Sequence, residues 1–218
     1  MSKEKKKNTL VHDALILFAI TVIAAVALGF VYEITKEPIA TAKEQAKIEA
    51  YKTVFPEMVS TAEETAGDIS AYQKLIDNEP ALEGTTVDEV LRAIDADGKT
   101  AGWVMTISNS KGYGGKITLT VGIEASGDGS SVTVKGIEFI TISETAGLGM
   151  RAKEDGFKSQ FDDRFDISSK GYSLTKKKIP GDVEVDAISN ATITSTAVTR
   201  SVNAAILVGE YLTGLGIN

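Results

Sequence analysis

The segment VDAISNATITSTAVTRSVNAAILVGEYL, Val185 to Leu212, gathers seven Ser or Thr residues into the thirteen positions from Ser189 to Ser201. They precede and enter a helix-like apolar pattern, where unsatisfied backbone N–H groups and the helix dipole both favour negative charge. A turn of this kind suits a phosphate or another anion. Plain N-capping, which uses one or two hydroxyls, stands beside that reading. Composition narrows the chemistry further. Cysteine is absent and the single histidine is His12, so nothing after residue 13 offers a thiolate or an imidazole. That excludes disulfides, the usual zinc sites, His-ligated haem, cysteine-ligated iron–sulfur clusters and Ser–His or Cys–His nucleophile pairs. Redox chemistry in this part of the chain must come from an organic cofactor.

The elements that would position the hydroxyl-rich turn follow from periodicity. A last helix is expected over about 194–212, with Val198, Val202, Ala205, Ile206 and Tyr211 on or near one face and Gly214 as its C-cap. From about Val87 the pattern is that of strands. Two β-prone runs flank Asp97-Gly98, a hairpin signal, and the runs KITLTVGIEA and SVTVKGIEFITI follow, separated by SGDGS. Ile117, Leu119, Val121 and Ile123 alternate, as do Val132, Val134 and Ile137 with a slip at Gly136 that suggests a bulge. A four-stranded antiparallel meander is expected, with Trp103 in its core. Short helices are expected in MRAKEDGFKSQFDDRF and a short strand at Val183 to Val185. The fold class is α+β, an antiparallel sheet flanked by helices.

The N-terminal part is of another kind. Residues 14–32, ALILFAITVIAAVALGFVY, carry no charge and, at about 1.5 Å per residue, reach roughly 28 Å, enough to cross a bilayer once. Lys3, Lys5, Lys6 and Lys7 precede them. After residue 32 come 19 of the 23 basic and 28 of the 30 acidic residues, a net charge of −9. The positive-inside bias puts the N-terminus in the cytoplasm and the bulk of the chain outside, anchored in the cell membrane. The apolar run leads into a helix-like stretch with Pro38 near its start, which fits an uncleaved anchor better than a signal peptide ending near Ala24 to Ala27. The acidic surface repels nucleic acid. The expected organisation is a basic leader over 1–13, a transmembrane helix over 14–32, a helical stalk and lid over 33–85, and a globular domain over 86–218.

Three segments carry a family resemblance. Asp186-Ala187-Ile188-Ser189-Asn190-Ala191-Thr192 resembles the flavinylation motif Asp-x-x-Ser/Thr-Gly-Ala-Thr. Ser143-Glu144-Thr145-Ala146-Gly147-Leu148-Gly149 is similar to a Glu-Thr-Pro-Gly-Leu-Gly loop, and Gly112-Tyr113-Gly114-Gly115-Lys116 to a Gly-Tyr-x-Gly turn. In this order they resemble the FMN-binding domain family, shared by the G subunit of Rnf complexes and the C subunit of the sodium-translocating NADH:quinone reductase. Asn190 stands where the family has Gly, and Ala146 where it has Pro.

The resemblance implies FMN attached through its phosphate to Thr192 by a dedicated flavin transferase, with Ser189, Asn190 and Ala191 in the turn around it. It implies a ring pocket made by Glu144, Thr145, Gly147 and Leu148, with Tyr113 stacked on the ring and Lys178, in the run Lys176 to Lys178, offsetting charge. Hydroxyls of Ser189, Thr194 and Ser195 would lie near the phosphate. By the same resemblance the chain is an electron relay in a membrane complex that couples ferredoxin oxidation and NAD reduction to sodium or proton export. Its partners would be the other membrane subunits, including a second flavin-bearing one. A C-type quinone-reductase subunit, an anchored phosphate-ligand module without a redox role and a purely structural subunit remain open at this point.

Overall fold

The computed structural model describes residues 3–64, 68–126, 131–162, 171–175 and 183–214. Contacts divide the chain into one unit over Met1–Gln45 and a second over Ala46–Asn218. The first unit consists of helix α1 (Lys3–Val54) as far as Gln45. It holds the uncharged run, and α1 is, among the described residues, the helix long and apolar enough to cross a membrane. Pro38 lies inside α1 rather than at the start of a new helix, so the chain sacrifices one i→i−4 hydrogen bond there and continues.

The second unit is built on a five-stranded antiparallel sheet in the order β1 (Ser60–Glu63), β2 (Thr85–Ile94), β3 (Thr100–Asn109), β4 (Ile117–Ala125), β5 (Val132–Thr141). The expected meander is present, joined by one more edge strand. β1 falls within the stretch expected to be a lid. Its Ser-Thr-Ala-Glu sequence is short and largely exposed, with no alternation to reveal it. The second unit also takes in Ala46–Thr85, which sequence reasoning separates from the domain. The Asp97-Gly98 hairpin forms as expected: Asp95 accepts hydrogen bonds from the Asp97 and Lys99 N–H groups, both 2.9 Å, and Gly98 has φ +77°. The slip beside Gly136 is a register shift, since Gly122 faces Gly136 whereas Ile123 faces Val134.

One face of the sheet is covered by α4 (Thr192–Leu212) and α2 (Ile69–Asp77). Ile117, Leu119, Val121 and Ile123 of β4 are fully buried there with Val198, Val202 and Ala205 of α4. Trp103 is only partly buried, and its indole N–H donates to Glu64 at 2.6 Å. The opposite face is covered by Tyr51, Val54 and Phe55 at the end of α1, packed on Ala93 and Val104. Tyr51 donates its hydroxyl hydrogen bond to Glu89, and Lys47 reaches the same carboxylate at 2.7 Å. Between β5 and α4 lie 3₁₀ turns at Gly149–Lys153 and Ser159–Phe161, the short α3 (Asp155–Lys158), and a parallel pair β6 (Ser173–Thr175) and β7 (Glu184–Asp186).

Tyr72 of α2 is 1% exposed, meets Tyr211 edge-on at 5.9 Å, and its hydroxyl has no hydrogen-bond partner. Burial, with a smaller contribution from the nearby Glu64 carboxylate, pushes its phenol up to about 12. A folded-state value above the unfolded one means that the protonated phenol favours folding, fully below about pH 10 and progressively less as pH rises through about 12. Tyr72→Phe keeps the ring and removes the unpaired hydroxyl. Urea unfolding should show stability at neutral pH equal to or above the parent's and a smaller loss at alkaline pH.

Candidate functional site

The N-terminus of α4 is shaped by a turn closed by the Ala191 N–H on the Ile188 carbonyl at 2.9 Å. Asn190 in this turn has φ +63°, the one positive value at a non-glycine among the described residues. Asn tolerates that left-handed conformation better than other non-glycine side chains, and Gly at the matching family position would enter it freely. Ser195, fully buried, locks the turn from within by donating to the Ala191 carbonyl and accepting from the Ile188 N–H, each at 3.0 Å. The helix begins at Thr192, two residues earlier than expected, and no side chain caps it at Ala191. Its first-turn N–H groups therefore lack intrahelical partners and favour an anion ahead of them.

Ahead of this helix start lies a cavity of about 470 Å³, a size that suits a small organic cofactor. It is lined by all three resembling segments: Tyr113 from the first turn, Glu144, Thr145, Leu148 and Gly149 from the second loop, and Asn190 to Thr194 from the third. Glycines permit the three to meet. A Cβ on Gly114 would collide with the Ser143 carbonyl, and one on Gly112 would stand 2.9 Å from Glu144 Oε1. A Cβ on Gly149 would stand 2.6 Å from Thr194 Oγ1 and 2.8 Å from Glu144 Oε2. Gly147, with φ +75°, shapes the loop from outside the cavity lining, and nothing approaches its Cβ position.

Tyr113, Glu144, Thr145, Leu148, Asn190, Ala191 and Thr192 are thus brought together as expected. Ser189 is not among them. It lines a separate groove of about 160 Å³ with Arg151, Gln160 and Asp186, on residues of the same turn. Ser195 is committed to the turn itself, so of the three hydroxyls expected near a phosphate Thr194 alone lines the cavity. Lys178, with Lys176 and Lys177, lies outside the described residues. Thr194 is expected near the phosphate and Gly149 belongs to the second segment, so Ile193 is the lining residue that sequence reasoning does not name, and no local pattern marks it. Thr194 Oγ1 and Glu144 Oε1 are buried with no hydrogen-bond partner, a deficit that a bound donor- and acceptor-bearing molecule such as a flavin would remedy.

A family model described as FMN-binding domain matches residues 112–207, and one described as RnfG N-terminal region matches residues 1–54. The G subunit of the Na(+)-translocating ferredoxin:NAD(+) oxidoreductase complex of Acetobacterium woodii is 30% identical over 203 residues, covering 91% of this chain and 90% of that protein. The chain belongs to the RnfG family. Another RnfG relative, the G subunit of the ion-translocating oxidoreductase complex of Methanosarcina acetivorans, is 30% identical over 190 residues, with 87% and 89% covered. Among solved structures, the C subunit of a Na(+)-translocating NADH-quinone reductase from Parabacteroides distasonis is 22% identical with a TM-score of 0.45, covering 77% of this chain and 83% of that one. The FMN-binding domain match spans every residue that lines the cavity.

The Asn190 turn gives a direct test of the local geometry. Asn190→Gly should leave thermal stability near the parent's, whereas Asn190→Ala should cost about 1 kcal/mol and lower the Tm by roughly 2–4 °C.

Proposed function

We propose that this chain is the flavin-carrying electron-transfer subunit of a membrane-bound ferredoxin:NAD oxidoreductase complex of the Rnf type, which couples redox to sodium or proton translocation. Its FMN is held covalently through the phosphate on Thr192. The observation that carries this reading is the place of Thr192: the first residue of an uncapped helix, exposed, on the lining of a cavity that the other two segments complete.

In the attachment step the Thr192 hydroxyl loses its proton and forms an O–P bond with an activated flavin phosphoester. The bond from phosphorus to the leaving group breaks, and the leaving group takes up the proton. A flavin transferase catalyses the exchange. The helix N-terminus then faces the remaining phosphate charge, an interaction worth about 0.3–1 kcal/mol at an exposed site. That is too little to retain a cofactor, which is why a covalent bond is needed. Bound FMN supplies the electron-carrying chemistry. The chain's lining residues would position it: Tyr113, 72% exposed, and Leu148 would flank the ring, Glu144 and Thr145 would meet its polar edge, and the Asn190-Ala191 backbone would support the phosphate end. No side chain is required as a general acid or base.

The partners are the other membrane subunits of the complex, including a second flavin-bearing subunit. The apolar span of α1 crosses the cell membrane once, with the lysine-rich N-terminus in the cytoplasm and the flavin domain outside.

Denaturing gels viewed under ultraviolet light, on protein made with the transferase present, should show a fluorescent band at the protein's mass that Thr192→Ala removes. A band surviving in Thr192→Ala would move the attachment elsewhere, and a colourless parent would favour a reversible phosphate-ligand module. Because the chain lacks cysteine, orientation is testable with Asp97→Cys and Ser2→Cys. An impermeant maleimide applied to right-side-out vesicles should label the first variant and spare the second; the opposite pattern would invert the topology.

A further inference from the structure

Strand β7 ends at Asp186, at the head of the stretch that leads to Thr192, and a side chain holds its last residue. Gln160 accepts from the Asp186 N–H at 2.7 Å and donates to the Asp186 carbonyl at 3.3 Å. One side-chain amide thus pairs with both backbone groups of a single residue, as a neighbouring strand would. Its NH2 group also reaches the Gly156 carbonyl at 3.4 Å. The base of this clamp is rigid: Phe161, the next residue, is fully buried and meets Phe157 at 5.6 Å and Tyr172 at 5.1 Å, both edge-on. Strand β6 holds the following residue, since the Ala187 N–H donates to the Thr175 carbonyl at 2.8 Å. Ser195 then fixes Ile188 and Ala191, leaving Ser189, Asn190 and Thr192 exposed between and beyond the fixed points. Gln160 lines the neighbouring groove and not the cavity, so it acts on the chain rather than on a ligand there.

We propose that Gln160 is a positioning residue for flavin loading: by fixing the end of β7 it holds the Thr192 hydroxyl where an activated flavin phosphoester can be attacked. The inference rests on covalent attachment at Thr192 and extends it to a residue outside the motif. In that step the Thr192 oxygen bonds to phosphorus, the bond from phosphorus to the leaving group breaks, and the hydroxyl proton passes to the leaving group. The attacking oxygen must lie close to the phosphorus and in line with the departing group, and a misplacement of about 1 Å costs on the order of a hundredfold in rate. A turn fixed at both ends keeps such a position, whereas one released at its entry spreads over many. Gln73 supplies a comparison within the same molecule. Its amide accepts from the Val87 N–H at 3.0 Å and donates to the Thr85 carbonyl at 3.1 Å, the same kind of clamp on β2, a strand that does not lead to the motif.

The test takes the full chain before flavin loading, adds the transferase and its flavin donor, and follows the fluorescent band with time at a temperature where each variant is folded. Gln160→Met keeps the side chain's length and removes both bonds. Gln160→Glu loses the donor and sets a carboxylate against the Asp186 carbonyl, and Gln73→Met is the control for lost stability alone. The kcat for attachment should fall on the order of tenfold in Gln160→Met with the KM for the chain near the parent's, fall also in Gln160→Glu, and stay parent-like in Gln73→Met. Amide hydrogen exchange over residues 186–192 should quicken in Gln160→Met and not in Gln73→Met. A parent-like kcat in Gln160→Met, an equal fall in Gln73→Met, or a change confined to KM, which would make Gln160 a contact of the transferase, would overturn the inference. Should Gln160→Met not fold, Gln160→Glu decides by the same readings. A parent that takes up no flavin would overturn covalent attachment and this inference with it, whereas a labelled parent beside an equally labelled Gln160→Met overturns the inference alone.

Discussion

Close backbone approach between loops is the constraint on which the site depends. The Ser143 carbonyl occupies the space where a side chain on Gly114 would begin, a Cβ on Gly112 would stand 2.3 Å from the Gly115 carbonyl, and one on Gly149 would stand 2.6 Å from Thr194 Oγ1 and 2.8 Å from Glu144 Cβ. Separations of this kind leave no room for even a methyl group, so the loops after β3 and β5 and the start of α4 can share one cavity only with glycine at these points. The sheet supplies the rest of the precision. The β3 and β4 strands, paired from Trp103 with Ile123 to Asn109 with Ile117, deliver the Gly112–Lys116 turn to the end of the sheet where the α4 N-terminus lies.

The hydroxyl-rich segment answers two needs at once, each with its own residues. Ser195, Thr196 and Ser201 return their hydrogen bonds to carbonyls four residues earlier, and Ser195 in addition ties down the turn. These serve the fold. Thr192 and Thr194 line the cavity instead. None of these hydroxyls caps the helix, and the helical repeat separates the two sets, because residues on one side of the first turn meet the core while their neighbours meet the open space.

What the sequence made legible had a local cause. Alternation at Ile117 to Ile123 follows from a strand with a buried face, the hairpin from Asp95 and Gly98, and the left-handed turn from Asn190 at a position where the family motif has Gly. The features that escaped have distant causes. β1 is held by pairing with β2 rather than by its own residues, and the closeness of Gly149 to Thr194 joins positions forty-five apart. Ser189 looked like part of the cofactor turn, yet the left-handed Asn190 that follows it turns the chain, and Ser189 meets the neighbouring groove with Asp186 instead.

The end of α1 has a further meaning for how the protein can be divided. Tyr51, Val54 and Phe55 fill the second hydrophobic cluster, and Gly102 and Gly122 leave their outer sides bare so that Phe55 and the Val54 carbonyl can lie against the strands. The C-terminal end of α1 is thus a structural member of the second unit. A soluble fragment that starts at the first strand would expose that cluster to water, and one meant to behave as the native domain has to retain the chain from Ala46 onward.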